Sequence, residues 1–189
     1  MLQPKLLKKV LEVLQKNHID YMITGSLVSS MQGEPRASHD IDIVINITSS
    51  SIPALINAFP ASQYYLSEKS ILDAIQNKSM FNLLDTTEGD KIDFWMLSED
   101  AYDQSRFSRK SEEMVFGMKM NISKPEDTIL MKLRWAKMSG GSDKQFTDAK
   151  MVYEVQYKKL DLNYMEHWVK ELQIENSWKQ LKKKASPIQ

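Results

Sequence analysis

Two aspartates one residue apart, Asp40 and Asp42, open the run Asp40-Ile-Asp-Ile-Val-Ile45. On a strand, residues i and i+2 face the same side, so both carboxylates project together while Ile41, Ile43 and Ile45 enter a core. Adjacent carboxylates repel unless something positive stands between them. A pair of Mg²⁺ ions, roughly 3.5–4 Å apart, is the usual solution and suits in-line phosphoryl transfer. With 13 Asp in 189 residues, one Asp-x-Asp is expected by chance, and a solvated strand face would look the same. Upstream, Gly25-Ser26 closes the short β-prone run Tyr21-Met-Ile-Thr24. A Gly-Ser turn between strand and helix lets backbone N–H groups approach a phosphate with no Cβ in the way. The Ser26 hydroxyl can donate to the same oxygens, although a serine that merely caps a helix is common. Asp93, in Lys91-Ile-Asp-Phe-Trp-Met96, is a third acid on a β-prone run. From a neighbouring strand it would join the other two as a metal ligand or accept the proton of an attacking hydroxyl. A strand-edge acid facing water is the plainer alternative.

The elements that must position these residues are legible from pattern. Leu6, Leu7, Val10, Leu11 and Leu14 recur at helical spacing behind Pro4, which predicts an amphipathic helix over 4–17. Strand 21–24, a short helix over 26–32 and a loop over 33–39 precede the strand at 40–45. Residues 51–59 and 67–77 read as helices. Met80–Asp85 and Lys91–Leu97 flank Thr86-Thr-Glu-Gly-Asp90 and predict a hairpin turning at Gly89. A β segment over 113–122 is interrupted by Gly117. Ser123-Lys-Pro-Glu126 has the form of a capping box opening the run Ile129, Leu130, Leu133, Ala136. From there to residue 184 the chain reads as helices, broken at Ser139-Gly-Gly-Ser142 and at Asp161, a plausible N-cap; the end from Lys182 reads as frayed. The expected organisation is an α/β domain over 1–122 and a helical region over 123–189.

Composition sets the outer limits. Apolar residues at 42% and charged residues at 26% are ordinary for a globular protein and exclude wholesale disorder. The 25 basic and 25 acidic residues cancel, so a dedicated duplex-binding protein is not expected. With no Cys there is no disulfide framework, thiolate nucleophile or Cys-ligated zinc. No apolar run approaches the roughly 20 residues of a membrane span, and the first residues lack a secretory h-region, so a cytoplasmic protein is expected. The neutral total hides an asymmetry. Residues 1–123 hold 12 basic against 16 acidic side chains, and residues 124–189 hold 13 against 9. An acidic half beside a basic half suits a site with cations on one wall and an anionic ligand on the other; scattered surface charge gives the same counts.

Taken together, Gly25-Ser26, Asp40-Ile-Asp42 and the downstream Asp93, followed by helices, resemble the nucleotidyltransferase superfamily built on the polymerase-β-type palm. That family shows a hydrophobic residue with Gly-Gly or Gly-Ser, a spacer, Asp-x-Asp/Glu, and a third acid on a later strand. Arg36-Ala-Ser-His-Asp40 also resembles the form found in minimal bacterial members. The resemblance covers residues 20–97. More loosely, Pro125-Glu-Asp127, Lys132 and Asp148 resemble the helical tail of uncharacterised bacterial members and of AbiEii-type toxins. It implies an α+β fold, a mixed, antiparallel-leaning sheet with helices on one side, followed by a C-terminal helical bundle. It also implies a reaction, in which an acceptor hydroxyl attacks the α-phosphorus of an NTP such as ATP and pyrophosphate leaves. The roles it implies are two Mg²⁺ ions on Asp40, Asp42 and Asp93, and nucleotide phosphates on Gly25, Ser26, Arg36 and Lys132. The acceptor is open among a small molecule, a protein and a tRNA.

Two other readings compete. A non-catalytic nucleotide-binding module of a toxin–antitoxin pair, with a companion antitoxin, would keep the same motifs. A metal-dependent glycosyltransferase also uses Asp-x-Asp, but the short chain and the Gly-Ser turn count against it. Lys132 and Arg134 are also explained by a solvated helix face, and Asp143 by a helix start. His18, His39 and His167 lack zinc spacing. The 12 Met and the aromatics Trp135, Tyr153, Trp168 and Trp178 read as core. Lys182–Lys184 read as a solubilising end rather than an RNA contact.

Overall fold

The computed structural model describes residues 4–35, 40–115 and 117–188. Helix α1 (Pro4–Lys16) buries the expected stripe of Leu6, Leu7, Val10, Leu11 and Leu14. Strand β1 (Asp20–Thr24) ends where the chain turns at Gly25 into α2 (Gly25–Gln32). Gly25 has φ +73°, a left-handed conformation that strains any residue with a Cβ. Strand β2 (Asp40–Asn46) returns antiparallel to β1 with Thr24 opposite Asp42. Helix α3 (Ile52–Ala58), the two-residue strand β3 (Tyr64–Tyr65) and helix α4 (Glu68–Asn77) follow, α4 capped by Ser67 Oγ accepting from Ser70 N–H at 3.2 Å.

The expected hairpin forms from β4 (Met80–Asp85) and β5 (Lys91–Met96). Its turn is fixed by Asp85, whose Oδ1 accepts from Thr87 N–H at 2.9 Å, Thr87 Oγ1 at 2.6 Å and Glu88 N–H at 3.1 Å. Burial works to raise the Asp85 pKa, but these donors and the charge of Lys9 outweigh it and hold the carboxyl below its usual range. Gly89 completes the turn at φ +78°. A turn so defined fixes register, and it sets Asn82 opposite Asp93.

Helix α5 (Ala101–Ser108) is capped by Asp100 Oδ1, which accepts from Tyr102 N–H at 2.9 Å. Neither α5 nor β3 has a counterpart among the sequence-based expectations: β3 is too short for a period, and α5 buries few apolar side chains. Strands β6 (Ser111–Val115) and β7 (Met118–Ile122) form a second hairpin at Gly117, φ +72°. The sheet runs in the order β3-β4-β5-β2-β1-β7-β6. Two neighbouring pairs, β2–β5 and β1–β7, are parallel and the others antiparallel, the mixed sheet of an α+β fold that the family resemblance implies.

Alternation divides this sheet into two faces. Tyr21 and Ile23, Ile41, Ile43 and Ile45, Ile92, Phe94 and Met96, Phe81 and Leu83 are all buried. The opposite face is polar at one end and apolar at the other. There Met22 and Val44 pack with Leu97, Trp95 and Phe107, so α5 contributes to the second face.

Helices α6 (Pro125–Met138), α7 (Asp143–Gln156), α8 (Leu162–Glu171) and α9 (Glu175–Lys184) form the helical part of the chain. They group with α2 as one compact unit, and the sheet with α1, α3, α4 and α5 is the other. Within the helical unit, α2 packs on α6 and α7. Gln32 Nε2 donates to the Ser123 carbonyl at 2.7 Å, and Gln156 Nε2 donates to the Gln32 carbonyl at 2.7 Å. Asp161 caps α8, as expected, by accepting from Tyr164 N–H at 3.0 Å.

Three expectations in this half are corrected. The capping box does not form: Lys124 is the N-cap of α6, Ser123 Oγ bonds Thr128 Oγ1 at 2.9 Å, and Glu126 Oε1 accepts from Asp161 N–H at 3.0 Å. Pro125 opens the helix one position late for a Ser123–Glu126 box, so both side chains bond elsewhere. The end of the chain is tied down rather than frayed. Lys182–Lys184 form the last turn of α9, and beyond it Glu154 accepts from Ser186 N–H at 2.6 Å and Ile188 N–H at 3.1 Å. Trp135 is exposed, whereas Tyr153 and Trp178 are buried edge-to-face, centroids 5.5 Å apart. No helix among the described residues is long and apolar enough to cross a membrane.

Candidate active site

The polar end of the second sheet face carries the acids. In the parallel pair β2–β5, Asp42 stands opposite Asp93 and Asp40 opposite Lys91. With Thr24 opposite Asp42 and Asn82 opposite Asp93, one row crosses four strands: Asn82, Asp93, Asp42, Thr24. The three acids singled out in the sequence therefore share a face, because the two-residue strand period and this register leave them no other side.

Each acid is held differently. Asn82 Nδ2 donates to Asp93 Oδ1 at 2.5 Å, and Lys91 Nζ donates to Asp93 Oδ2 at 2.9 Å. The same ammonium lies 3.8 Å from Asp40 Oδ1. Asp42 Oδ1 accepts from Trp95 Nε1 at 3.1 Å. Exposure falls across the group: the Asp40 side chain is 65% exposed, Lys91 39% and Asp93 12%. The hydrogen bond to Asp93 raises the Lys91 pKa above the usual lysine value; desolvation opposes this, and the charges of Asp93, Asp40 and Asp42 add to it.

Among the described residues, no three Asp, Glu or His side chains are gathered as a ready cation cage. Among the described residues, the Lys91 ammonium brings a positive charge to Asp40 and Asp93. The donor set itself suits a hard divalent ion, since it is all carboxylate oxygen on one face and already draws a cation.

A second charged group lies in the helical unit. Lys132 on α6 donates to Asp148 Oδ2 on α7 at 2.8 Å, and its Nζ is 3.4 Å from Ser26 Oγ on α2. Both charged side chains are buried, 6% and 7% exposed. Three helices thus bring together three of the residues marked in the sequence. Asp127, fully buried on α6, accepts from Tyr164 Oη at 2.7 Å. Arg36 and His39 fall outside the described residues.

Sequence reasoning did not single out Asn82, Lys91, Trp95 or Thr24 as members of the site. The signal existed for two of them, because Lys91 and Trp95 lie two residues either side of Asp93 on one strand. Asn82 and Thr24 needed the register of the neighbouring strands.

No family model matches the sequence, and no curated protein does. Solved structures do match. ANT(2″)-Ia, in its crystal structure with adenylyl-2″-tobramycin, superposes at a TM-score of 0.56 with 11% identity, over 91% of this chain and 97% of the other. The solution structure of the same antibiotic-resistance factor gives 0.52 and 13%, over 93% and 94%. An antigenic nucleotidyltransferase-like protein from Paracoccidioides brasiliensis gives 0.52 and 17%, over 96% and 93%. The chain therefore has the nucleotidyltransferase fold. At such identities the likeness is one of fold, and what the site does must be argued from its own residues.

Proposed function

We propose that the protein is a Mg²⁺-dependent nucleotidyltransferase that moves a nucleoside monophosphate from an NTP to a hydroxyl acceptor. The observation that carries this reading is the placement of Asp40, Asp42 and Asp93 on one sheet face, with Asp42 and Asp93 in direct cross-strand register. In this reading the three carboxylates would hold two Mg²⁺ ions. When bound, these supply charge neutralisation at the α-phosphate and lower the pKa of the acceptor hydroxyl.

The chain's own groups do the remainder. Asp93 accepts the acceptor's proton, and Asn82 keeps its carboxylate turned toward the row. Trp95 fixes the Asp42 carboxylate by its indole N–H. The Gly25-Ser26 turn offers backbone N–H groups and a hydroxyl to phosphate oxygens. Lys132 supplies a cation beside Ser26, and Arg36 is a further candidate for phosphate charge. The acceptor hydroxyl attacks the α-phosphorus, its proton passes to Asp93, and the bond to the β-phosphate oxygen breaks to release pyrophosphate. ANT(2″)-Ia, a protein of the same fold, has been captured with adenylyl-2″-tobramycin, which is consistent with transfer to a hydroxyl. The acceptor class here is a small molecule, a protein or a tRNA.

The test is mass spectrometry of the purified protein, alone and with cell extract, after incubation with each NTP and Mg²⁺. A product carrying the mass of one nucleoside monophosphate, absent without Mg²⁺, is expected. Nucleotide binding by calorimetry with no adduct in any acceptor screen would instead favour a non-catalytic binding module.

A further inference from the structure

Three acids on one sheet face need a counter-charge whether or not a metal is bound, and this chain brings one on the same strand as the third acid. Lys91 precedes Asp93 by two residues, so both side chains leave β5 on one side. Its register partner across the parallel pair is Asp40. The ammonium therefore reaches one acid on its own strand, at 2.9 Å, and one on the next, at 3.8 Å.

We propose that Lys91 is a built-in counter-ion of the acidic face: its ammonium holds Asp40 and Asp93 until a divalent cation takes the same oxygens, so that metal binding is an exchange. This rests on the proposed reading of that face as a divalent-cation site. The exchange is physically accessible because the Lys91 side chain is more than one-third exposed. Its four-carbon stem can carry the charge into solvent without leaving a cation buried. Asp40, the most exposed of the three acids, is the side from which a hydrated ion reaches the group. Lys91 is a positioning residue in this scheme: it keeps the carboxylates together in the resting protein and weakens metal affinity by competing for them.

The test is direct Mn²⁺ binding to the full chain without nucleotide, followed by the loss of the free-ion electron paramagnetic resonance signal. Wild type is compared with Lys91→Met, Lys91→Gln and Lys91→Arg. Removing one positive charge about 4 Å from a divalent ion near the protein surface is expected to tighten Mn²⁺ binding roughly fivefold or more in both Met and Gln variants. Lys91→Arg, which keeps the charge, is expected to stay near wild type. Thermal melting in chelator should be lower for Lys91→Met than for wild type, with a larger rise on adding Mn²⁺. Lys91→Gln keeps a hydrogen-bond donor for Asp93 and serves if the Met variant folds poorly. Unchanged or weaker Mn²⁺ binding in the uncharged variants, while wild type binds, would overturn the exchange alone. That result includes the case in which Lys91 is itself a nucleotide ligand. No Mn²⁺ binding by any form would overturn both the exchange and the metal site on which it rests.

Discussion

Two of the Lys–Asp pairs among the described residues are nearly equal in length but lie in unequal surroundings. Lys132 and Asp148 meet at 2.8 Å between two helices with both side chains buried; Lys91 and Asp93 meet at 2.9 Å on one strand with the lysine partly in water. Coulomb attraction at a given distance grows as water is excluded, but so does the cost of desolvating each charge. The buried pair is thus a fixture, since parting it would set two charges apart where water is excluded. The strand pair is replaceable at the lysine, since water can take up its ammonium and another cation can take its place beside Asp93. On the proposed function, a face that accepts metal and nucleotide is served by the second kind, and a helical scaffold that keeps a lysine beside Ser26 by the first.

Substitutions in and beside the two pairs separate these behaviours. The largest effect on stability is expected for Asp148→Asn, which removes the carboxylate facing a buried ammonium and should cost about 3–5 kcal/mol in denaturant unfolding. The double change Lys132→Met with Asp148→Leu should recover most of that loss, because well-packed apolar pairs often replace buried ion pairs without penalty. A loss under about 1 kcal/mol for Asp148→Asn would mean that the pair behaves as a surface pair. A smaller effect is expected at Trp95→Phe. It deletes the indole N–H donated to Asp42 while keeping most of the ring, and should cost about 1–2 kcal/mol. The Mn²⁺ affinity should change with it, because Asp42 loses the donor that orients it.

Much of the sheet unit was legible in the sequence because its signals are local. The Asp40–Ile45 alternation, the turn at Gly89 and the leucine stripe of α1 each reflect a period or a turn residue. The sharing of one face by Asp40 and Asp42 follows from the strand period alone. That Asp93 lies beside Asp42 rather than two rows away depends on the parallel pairing of β2 with β5, a non-local choice made by the whole sheet. The same holds for Asn82. In the helical unit, Lys132 could be picked out by type, but its burial against Asp148 could not, since the two are joined only when α6 and α7 pack. The capping-box motif misled because Pro125 fixes the helix start independently of Ser123. At the chain end, three consecutive lysines suggested a loose terminus, while Glu154, far earlier in sequence, supplies the acceptors that hold the backbone beyond them.

On the proposed function, the acids of β2 and β5 act together in nucleotide chemistry. The most direct test of this is pyrophosphate release from NTP with Mg²⁺ and cell extract, comparing wild type with Asp42→Asn. A loss of at least about 100-fold is expected, because the substitution removes charge from the middle of the row while preserving its shape. Undiminished pyrophosphate release by a folded Asp42→Asn protein would contradict it.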